Sequence, residues 1–328
     1  MNKLAAVTTI ACITLGLASC EMLLEAQAAE KFPPIGHVVD IEGRKLQIDC
    51  RGTGSPTVVL ESGGNDIFGS LGWSTIQQEI ATSTRVCSYS RAGYVWSSTS
   101  SIALNAESGA RDLHEALQLS NEVPPYVLVS HSSGSLNNLI FTDLFRSEVA
   151  GLVFAEPSHP EQDARRAQVG IEQGDDLPLT NVKMLRALRW TGLPRLFSNY
   201  CVDSTLTTQV IDTCKAWFPH SLDGIISEGT VRHALDTRAA EVNDLGDLPV
   251  LVLTRQFKDE WYGAEPVARQ ELQKRENHWR ELHAEIASWS SQGKQRFVPD
   301  SGHGIPFTHP QAVVAGVNDV LVLARQSL

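Results

Sequence analysis

Short apolar runs bounded by turn residues recur along the chain. They are "TVVLES" (57–62), "RVCSYS" (85–90), "YVLVSH" (126–131), "GLVFAE" (151–156), "LPVLVLT" (248–254) and "KQRFVPD" (294–300). Several lack the polar alternation of a half-exposed strand, which predicts strands covered on both faces. Between them apolar residues fall at helical spacing. Leu113, Ala116 and Leu117 share a face before the third run, and Leu136, Leu139, Ile140 and Leu144 share one after it. Trp279, Leu282, Ile286 and Trp289 repeat the pattern before the last run. Ahead of all these, "HVVDIEGRKLQIDC" alternates around Glu42-Gly43 and predicts a hairpin. Buried strands alternating with amphipathic helices give an α/β fold around a mostly parallel sheet. One interval breaks the rhythm. From about residue 160 to 246 no run reads as a buried strand, and a mainly helical insertion over the sheet is expected. The layout is therefore a core of 35–159 and 247–328 interrupted by a helical lid, 160–246.

The N-terminus adds a different element. "MNKLAAVTTIACITLGLASC" pairs a lysine with an apolar stretch too short to span a bilayer, the form of an export signal over residues 1–20. Leu17-Ala18-Ser19-Cys20 resembles a bacterial lipobox, in which the cysteine is lipidated and becomes the new N-terminus. Ala26-Gln27-Ala28 fits an ordinary signal-peptidase site but lies beyond Glu21 and Glu25. Lipidation at Cys20, with membrane attachment through it, is the preferred reading. An exported, periplasmic or extracellular protein sees oxidising conditions. With Cys12 and Cys20 set aside, Cys50, Cys87, Cys201 and Cys214 remain. No zinc-site spacing is present, so disulfides Cys50–Cys87 and Cys201–Cys214 are expected and no metal is.

Composition bounds the partners. The 328 residues are 42% apolar, ample for a large core, and the formal net charge is -11. The charges are scattered and no basic run interrupts them, which argues against nucleic acid. "RGTGSP" has neither the lysine nor the following helix of a phosphate cradle, so no nucleotide cofactor is implied.

Candidate chemistry lies in "VLVSHSSGS", which closes the third apolar run and opens a helical pattern. A serine nucleophile on a sharp strand-to-helix turn needs small residues two before and two after it. Centring on Ser130 places Leu128 there, and centring on Ser133 places His131. Ser132, flanked by Ser130 and Gly134, fits. At a helix start it lies where the dipole and backbone N–H groups favour developing negative charge. Its base is expected to be His303, flanked by glycines in "VPDSGHGIPFTHP" just after the last strand. His131 reads as a packing residue, His278 and His283 as a solvated helix face, and His309 as a loop residue. "ESGGN" after the first run offers backbone donors, and the N–H groups of Gly64 and Ser133 are the candidate oxyanion pair.

At this point the chain resembles the α/β-hydrolase superfamily over nearly all of its mature length. "VLVSHSSGS" is similar to that superfamily's "LVGHSxGG", "YSRAGYVWSS" to "YDRAGYGWSD", and "SGHGIPFTHP" to "SGHxxxxxxP". Ser130 and Ser90 depart from the glycine and aspartate of those motifs. The resemblance implies eight strands in the order 1-2-4-3-5-6-7-8 with a lid inserted after strand six. It sets strand two beside strand four, which supports the Cys50–Cys87 pairing. Most members carry the triad acid after strand seven, where Asp259 is the nearest carboxylate. Some, pancreatic-type lipases among them, carry it at the end of strand six, where "VFAEP" places Glu156. A carboxylate ending a buried strand needs a partner such as an imidazolium, so Glu156 is preferred.

The expectation is an exported serine hydrolase that cleaves a carboxylic ester of a small-molecule acyl substrate through an acyl-enzyme, without a cofactor. Ser132 in place of an aspartate argues against dehalogenase or epoxide hydrolase chemistry. Thioester, lactone or carbon–carbon hydrolysis, and a catalytically silent ligand-binding protein, are the alternatives.

Overall fold

The hairpin at Glu42-Gly43 forms β1 (His37–Ile41) and β2 (Arg44–Arg51). The six apolar runs form β3 (Thr57–Glu61), β4 (Val86–Ser90), β5 (Tyr126–His131), β6 (Val149–Ala155), β7 (Gly246–Gln256) and β8 (Ser290–Pro299). In this computed structural model, which describes residues 20–65, 67–99, 104–171, 178–263 and 265–327, they make one sheet. Its order is β1-β2-β4-β3-β5-β6-β7-β8, the order that the motif resemblance implies. β1, β2 and β4 pair antiparallel and all other neighbours parallel.

Strand periodicity sorts the core into two layers. Val59, Leu128, Leu152, Phe154, Val250 and Val252 face one side of the sheet. There they meet α3 (Ser108–Leu119), α4 (Gly134–Leu144) and α8 (Pro266–Ser288). Their neighbours Val58, Val127, Val129, Val153, Leu251 and Leu253 face the other side. These meet α2 (Ser74–Ile80) and α10 (Pro310–Gln326), the latter preceded by the single turn α9 (Ile305–Thr308). Cys50 and Cys87 are register partners across β2 and β4 and are joined by a disulfide.

Between β6 and β7 the described residues carry no strand. They form α5 (Gln162–Gln168), α6 (Leu179–Ala187), two 3-10 segments over 189–191 and 193–201, and α7 (Thr208–Ala239). A third apolar cluster, including Val182, Leu185, Phe218 and Leu222, packs this segment onto Tyr94, Val95 and Trp96 after β4. The Cys201–Cys214 disulfide ties the second 3-10 segment to α7.

Residues 1–19 of the expected export signal 1–20 lie outside the described residues. Among the described residues a helix covers 20–31, α1, and its Cys20 is exposed and carries no disulfide. It docks on the helical segment through Glu21, which pairs with Arg195 at 2.8 Å. Just beyond it, the indoles of Trp96 and Trp217 donate to the Phe32 carbonyl. Among the described residues no helix is long and apolar enough to cross a membrane.

Candidate active site

The apolar strand β5 must turn abruptly into α4, and the turn falls on Ser132. Its φ is +52°, left-handed for a side chain that ordinarily avoids that region. Surrounding hydrogen bonds hold it there. The Ser132 N–H donates to the Ala155 carbonyl at 3.2 Å, and its own carbonyl accepts from the N–H groups of Ser135 and Ser158. Gly134 is required two residues on. A Cβ there would stand 2.4 Å from the Ser62 carbonyl. Ser130, the departure from the usual glycine, is wholly buried, and its hydroxyl has no hydrogen-bond partner among the described residues. The strand thus accommodates one extra hydroxyl without moving the turn.

His303 comes from the loop that follows β8, where Asp300 also takes a left-handed φ of +57°. Its Nε2 lies 3.0 Å from Ser132 Oγ and its Nδ1 3.4 Å from Glu156 Oε2. Ser132, His303 and Glu156 therefore meet, from three segments spread over more than half the chain. The His303 side chain is 48% exposed, which leaves its ring open to a ligand, while Glu156 is fully buried. Glu156 also sits at positive φ, +53°, with its N–H donated to the Leu253 carbonyl.

A dense set of donors holds the Glu156 carboxylate. The Arg255 N–H donates to Oε1 at 2.5 Å, the Arg255 guanidinium to Oε2 at 2.6 Å, and the Trp279 indole to Oε2 at 3.1 Å. Burial pushes this carboxyl upward, but the hydrogen bond to His303 and the nearby positive charge of Arg255 outweigh it and hold it at about 2. Arg255, the penultimate residue of β7, is itself pinned by Glu276 at 2.7 Å and stacked on Trp279. Asp259, the alternative acid, lies in an exposed turn (Asp259–Tyr262) with its side chain 86% exposed, and it pairs with Arg269.

Two histidines differ from, or add to, the sequence reading. His283 is not on a solvated face. It is fully buried, donates from Nε2 to the Pro157 carbonyl at 2.9 Å and meets the Thr254 hydroxyl through Nδ1. Burial lowers its pKa to about 4, so it is neutral at pH 7. It shares the α8 stripe of Trp279 and Ile286, four and three residues away, so helical spacing would have found it. His131 does pack, edge-on against Phe307, but its Nε2 also bonds to the His303 carbonyl at 2.9 Å. Burial holds His131 near 4 as well, so it braces the His303 loop as a neutral donor.

The loop after β3 brings Gly63 and Gly64 against the turn. A Cβ on Gly64 would stand 2.5 Å from Ser133 Oγ, and one on Gly63 3.3 Å from Ser132 Cβ. Among the described residues no hydrogen bond occupies the N–H of Gly64 or of Ser133. Arg91 grips the loop from behind. Its guanidinium donates to the Ser62 carbonyl at 2.6 Å, to the Gly63 carbonyl, and to buried Glu61 at 2.6 Å. Burial pushes the Glu61 carboxyl up against the opposing pull of Arg91 and Tyr89. Breaking such a buried pair costs about 3–5 kcal/mol, because one charge stays behind uncompensated. The fourth contact of Arg91 comes from α7. Glu228 accepts from Arg91 Nε at 2.6 Å, from the Asn65 N–H at 2.9 Å and from the Tyr94 hydroxyl at 2.8 Å. No sequence motif announced Glu228. A cavity of about 400 Å³ opens beside this loop, lined by Gly64, Ser133, Asn137, Leu179, Ile225 and Glu228 among others. Its walls combine aliphatic side chains with polar ones, and the charged residues among them, Arg91, Asp112, Glu228 and Arg232, are ion-paired, which suits a small molecule with an apolar body.

A family model described as "Alpha/beta hydrolase family" matches residues 52–316. Two uncharacterized proteins of Bacillus subtilis (strain 168) are similar in sequence. YqjL is 23% identical over 276 residues, 84% of this chain and 87% of its own. YbdG is 22% identical over 138 residues, so the match spans only 42% of its length. Solved structures with the same fold include a thermophilic esterase from Thermogutta terrifontis (20% identity, TM-score 0.58, covering 88% of this chain and 99% of that one). Another is the epoxide hydrolase CorEH (17% identity, TM-score 0.58, covering 87% and 98%). At these identities the structural likeness carries the fold alone.

Proposed function

Because the chain belongs to the alpha/beta hydrolase family, we propose that it is an exported serine hydrolase acting on carboxylic esters. The observation that carries this reading is a strained Ser132 with its hydroxyl 3.0 Å from His303 Nε2. Strain is retained at a turn when the turn has a task, and here it lifts a hydroxyl to its base.

In the proposed sequence Ser132 Oγ attacks the ester carbonyl carbon as His303 Nε2 takes its proton. The negative charge that develops on the carbonyl oxygen is received by the N–H groups of Gly64 and Ser133. Collapse breaks the ester C–O bond, and His303 returns the proton to the departing alcohol. A water then attacks the acyl-serine carbonyl as His303 takes its proton; the acyl C–Oγ bond breaks, His303 returns the proton to Ser132 Oγ, and the carboxylic acid is released. Glu156 orients the ring and faces the imidazolium formed in each half-reaction. A serine in this place argues against the carboxylate-ester chemistry of epoxide hydrolases, whose nucleophile is an aspartate.

Residues 160–246 serve as the lid in this reading, with Glu228 as its link to the oxyanion loop. Glu228→Gln removes one of the two carboxylates on Arg91 and weakens the hold on the Asn65 N–H. It is expected to lower kcat by about 10- to 100-fold with KM changed less than about threefold, a part of the cost of losing an oxyanion donor outright. Steady-state kinetics on a soluble ester measures this split. A change confined to KM would mean that Glu228 only shapes the cavity.

The substrate test is a p-nitrophenyl ester series from acetate to palmitate. For a cavity of about 400 Å³, kcat/KM should peak at short or medium acyl chains and fall at least about tenfold at palmitate. Hydrolysis of none of these esters, with turnover of a thioester, a lactone or an epoxide instead, would move the assignment.

Export is supported by the two disulfides. Processing before Cys20, rather than after Ala28, is supported by the docking of α1. Cleavage after Ala28 would remove Glu21 and strip Arg195 of its carboxylate.

A further inference from the structure

Exposed apolar side chains concentrate in two segments that touch. Met22 and Leu23 on α1 are 70% and 64% exposed. On the stretch between α6 and α7, Leu196 is 75% exposed, Tyr200 61%, and Trp190 and Phe197 43% each. The Glu21–Arg195 pair joins the segments at 2.8 Å, and a Cβ on Gly192 would lie 3.2 Å from Glu21 Oε2. The two segments therefore adjoin, and each carries exposed apolar side chains. An exposed apolar patch of this kind marks an interaction site.

Charge indicates the occupant. In a chain of net charge -11, residues 178–202 contain Lys183, Arg186, Arg189 and Arg195 and no acidic residue. Arg186 and Arg189 rest on buried Asp223, and Arg195 on buried Glu21, so three cations rest on two carboxylates while Lys183 is exposed. A symmetric contact between two copies would set these cations against their own kind. An anionic lipid surface would attract them, while the aromatic and aliphatic side chains entered the headgroup region. The expected lipidation point leads to the same region, because exposed Cys20 lies two residues before Met22.

We propose that the α1 start and residues 183–202 form a docking face for an anionic lipid bilayer. The face is independent of the catalytic reading and of the acyl chain expected at Cys20.

The test uses the mature chain from residue 20 carrying Cys20→Ser, which removes the point of acylation, in sedimentation with phosphatidylcholine vesicles with and without phosphatidylglycerol. Binding is expected on the vesicles that contain phosphatidylglycerol. Adding Leu196→Asp and Phe197→Asp should lower it at least about tenfold. Lys183→Glu, which leaves the apolar side chains intact, should lower it about fivefold or more and only on the anionic vesicles. Near-UV circular dichroism checks that each variant is folded. If the Asp variants do not fold, Lys183→Glu alone decides. Three results would overturn the proposal. They are no binding by the parent, equal binding by parent and folded variants, and a parent dimer that the Asp pair turns into a monomer while neither binds vesicles.

Discussion

Replacing Ser132 by alanine is expected to lower kcat by about 10⁴- to 10⁶-fold on any ester the protein turns over, with KM changed only a few-fold. The hydroxyl is the one group whose removal leaves His303 with nothing to activate. In the proposed mechanism the loop of Gly63 and Gly64 and the cavity remain, which would bind and polarise an ester but could not form the acyl-enzyme. The substitution should not unfold the protein. The turn at Ser132 is held by its backbone bonds to Ala155, Ser135 and Ser158, and alanine retains all of them. The left-handed φ of +52° is no harder for alanine than for serine. A variant equally folded and nearly as active would remove Ser132 from the mechanism.

Glu156→Gln is expected to cost about 10³- to 10⁴-fold in kcat, against less than about twofold for Asp259→Asn. Every neighbour of this carboxylate is a donor: the Arg255 N–H and guanidinium, the Trp279 indole and His303. A carboxamide turns one acceptor into a donor and must aim it at another donor, which costs about 1–3 kcal/mol of stability as well as the charge that faces the imidazolium. Acidification should report the same group. The Glu156 carboxyl is held at about 2, below the ordinary 4.5. Its contribution to stability is therefore complete above about pH 4.5 and is lost as pH falls toward 2. Urea unfolding between neutral pH and pH 3 should show this loss in the parent and less of it in Glu156→Gln.

The central strands were legible because they are buried on both sides. A run such as "YVLVSH" has no polar face to confuse with a loop, and its alternate residues sort into two layers on strand geometry alone. The elbow was legible because its steric demand falls on two named positions, and only Ser132 satisfies both. The acid was less so. Glu156 and Asp259 sit at the ends of neighbouring strands, and what separates them is Arg255. That residue turns inward from β7 and binds Glu156, whereas Asp259 faces solvent. A linear pattern does not report which way a side chain at a strand end turns. His283 was misread because glutamates and arginines crowd α8, although its spacing from Trp279 and Ile286 puts it on the buried stripe. Glu228 left no trace in the pattern, because its role depends on where a 32-residue helix crosses a loop 163 residues away.

The central claim is that Ser132 is the nucleophile, and a fluorophosphonate tests it most directly because it reports attack by one oxygen whatever the natural substrate is. The parent should take up one equivalent, found by peptide mass on the segment containing Ser132, and Ser132→Ala should take up none. A folded parent that stays unlabelled, or a label that survives Ser132→Ala, would contradict the account.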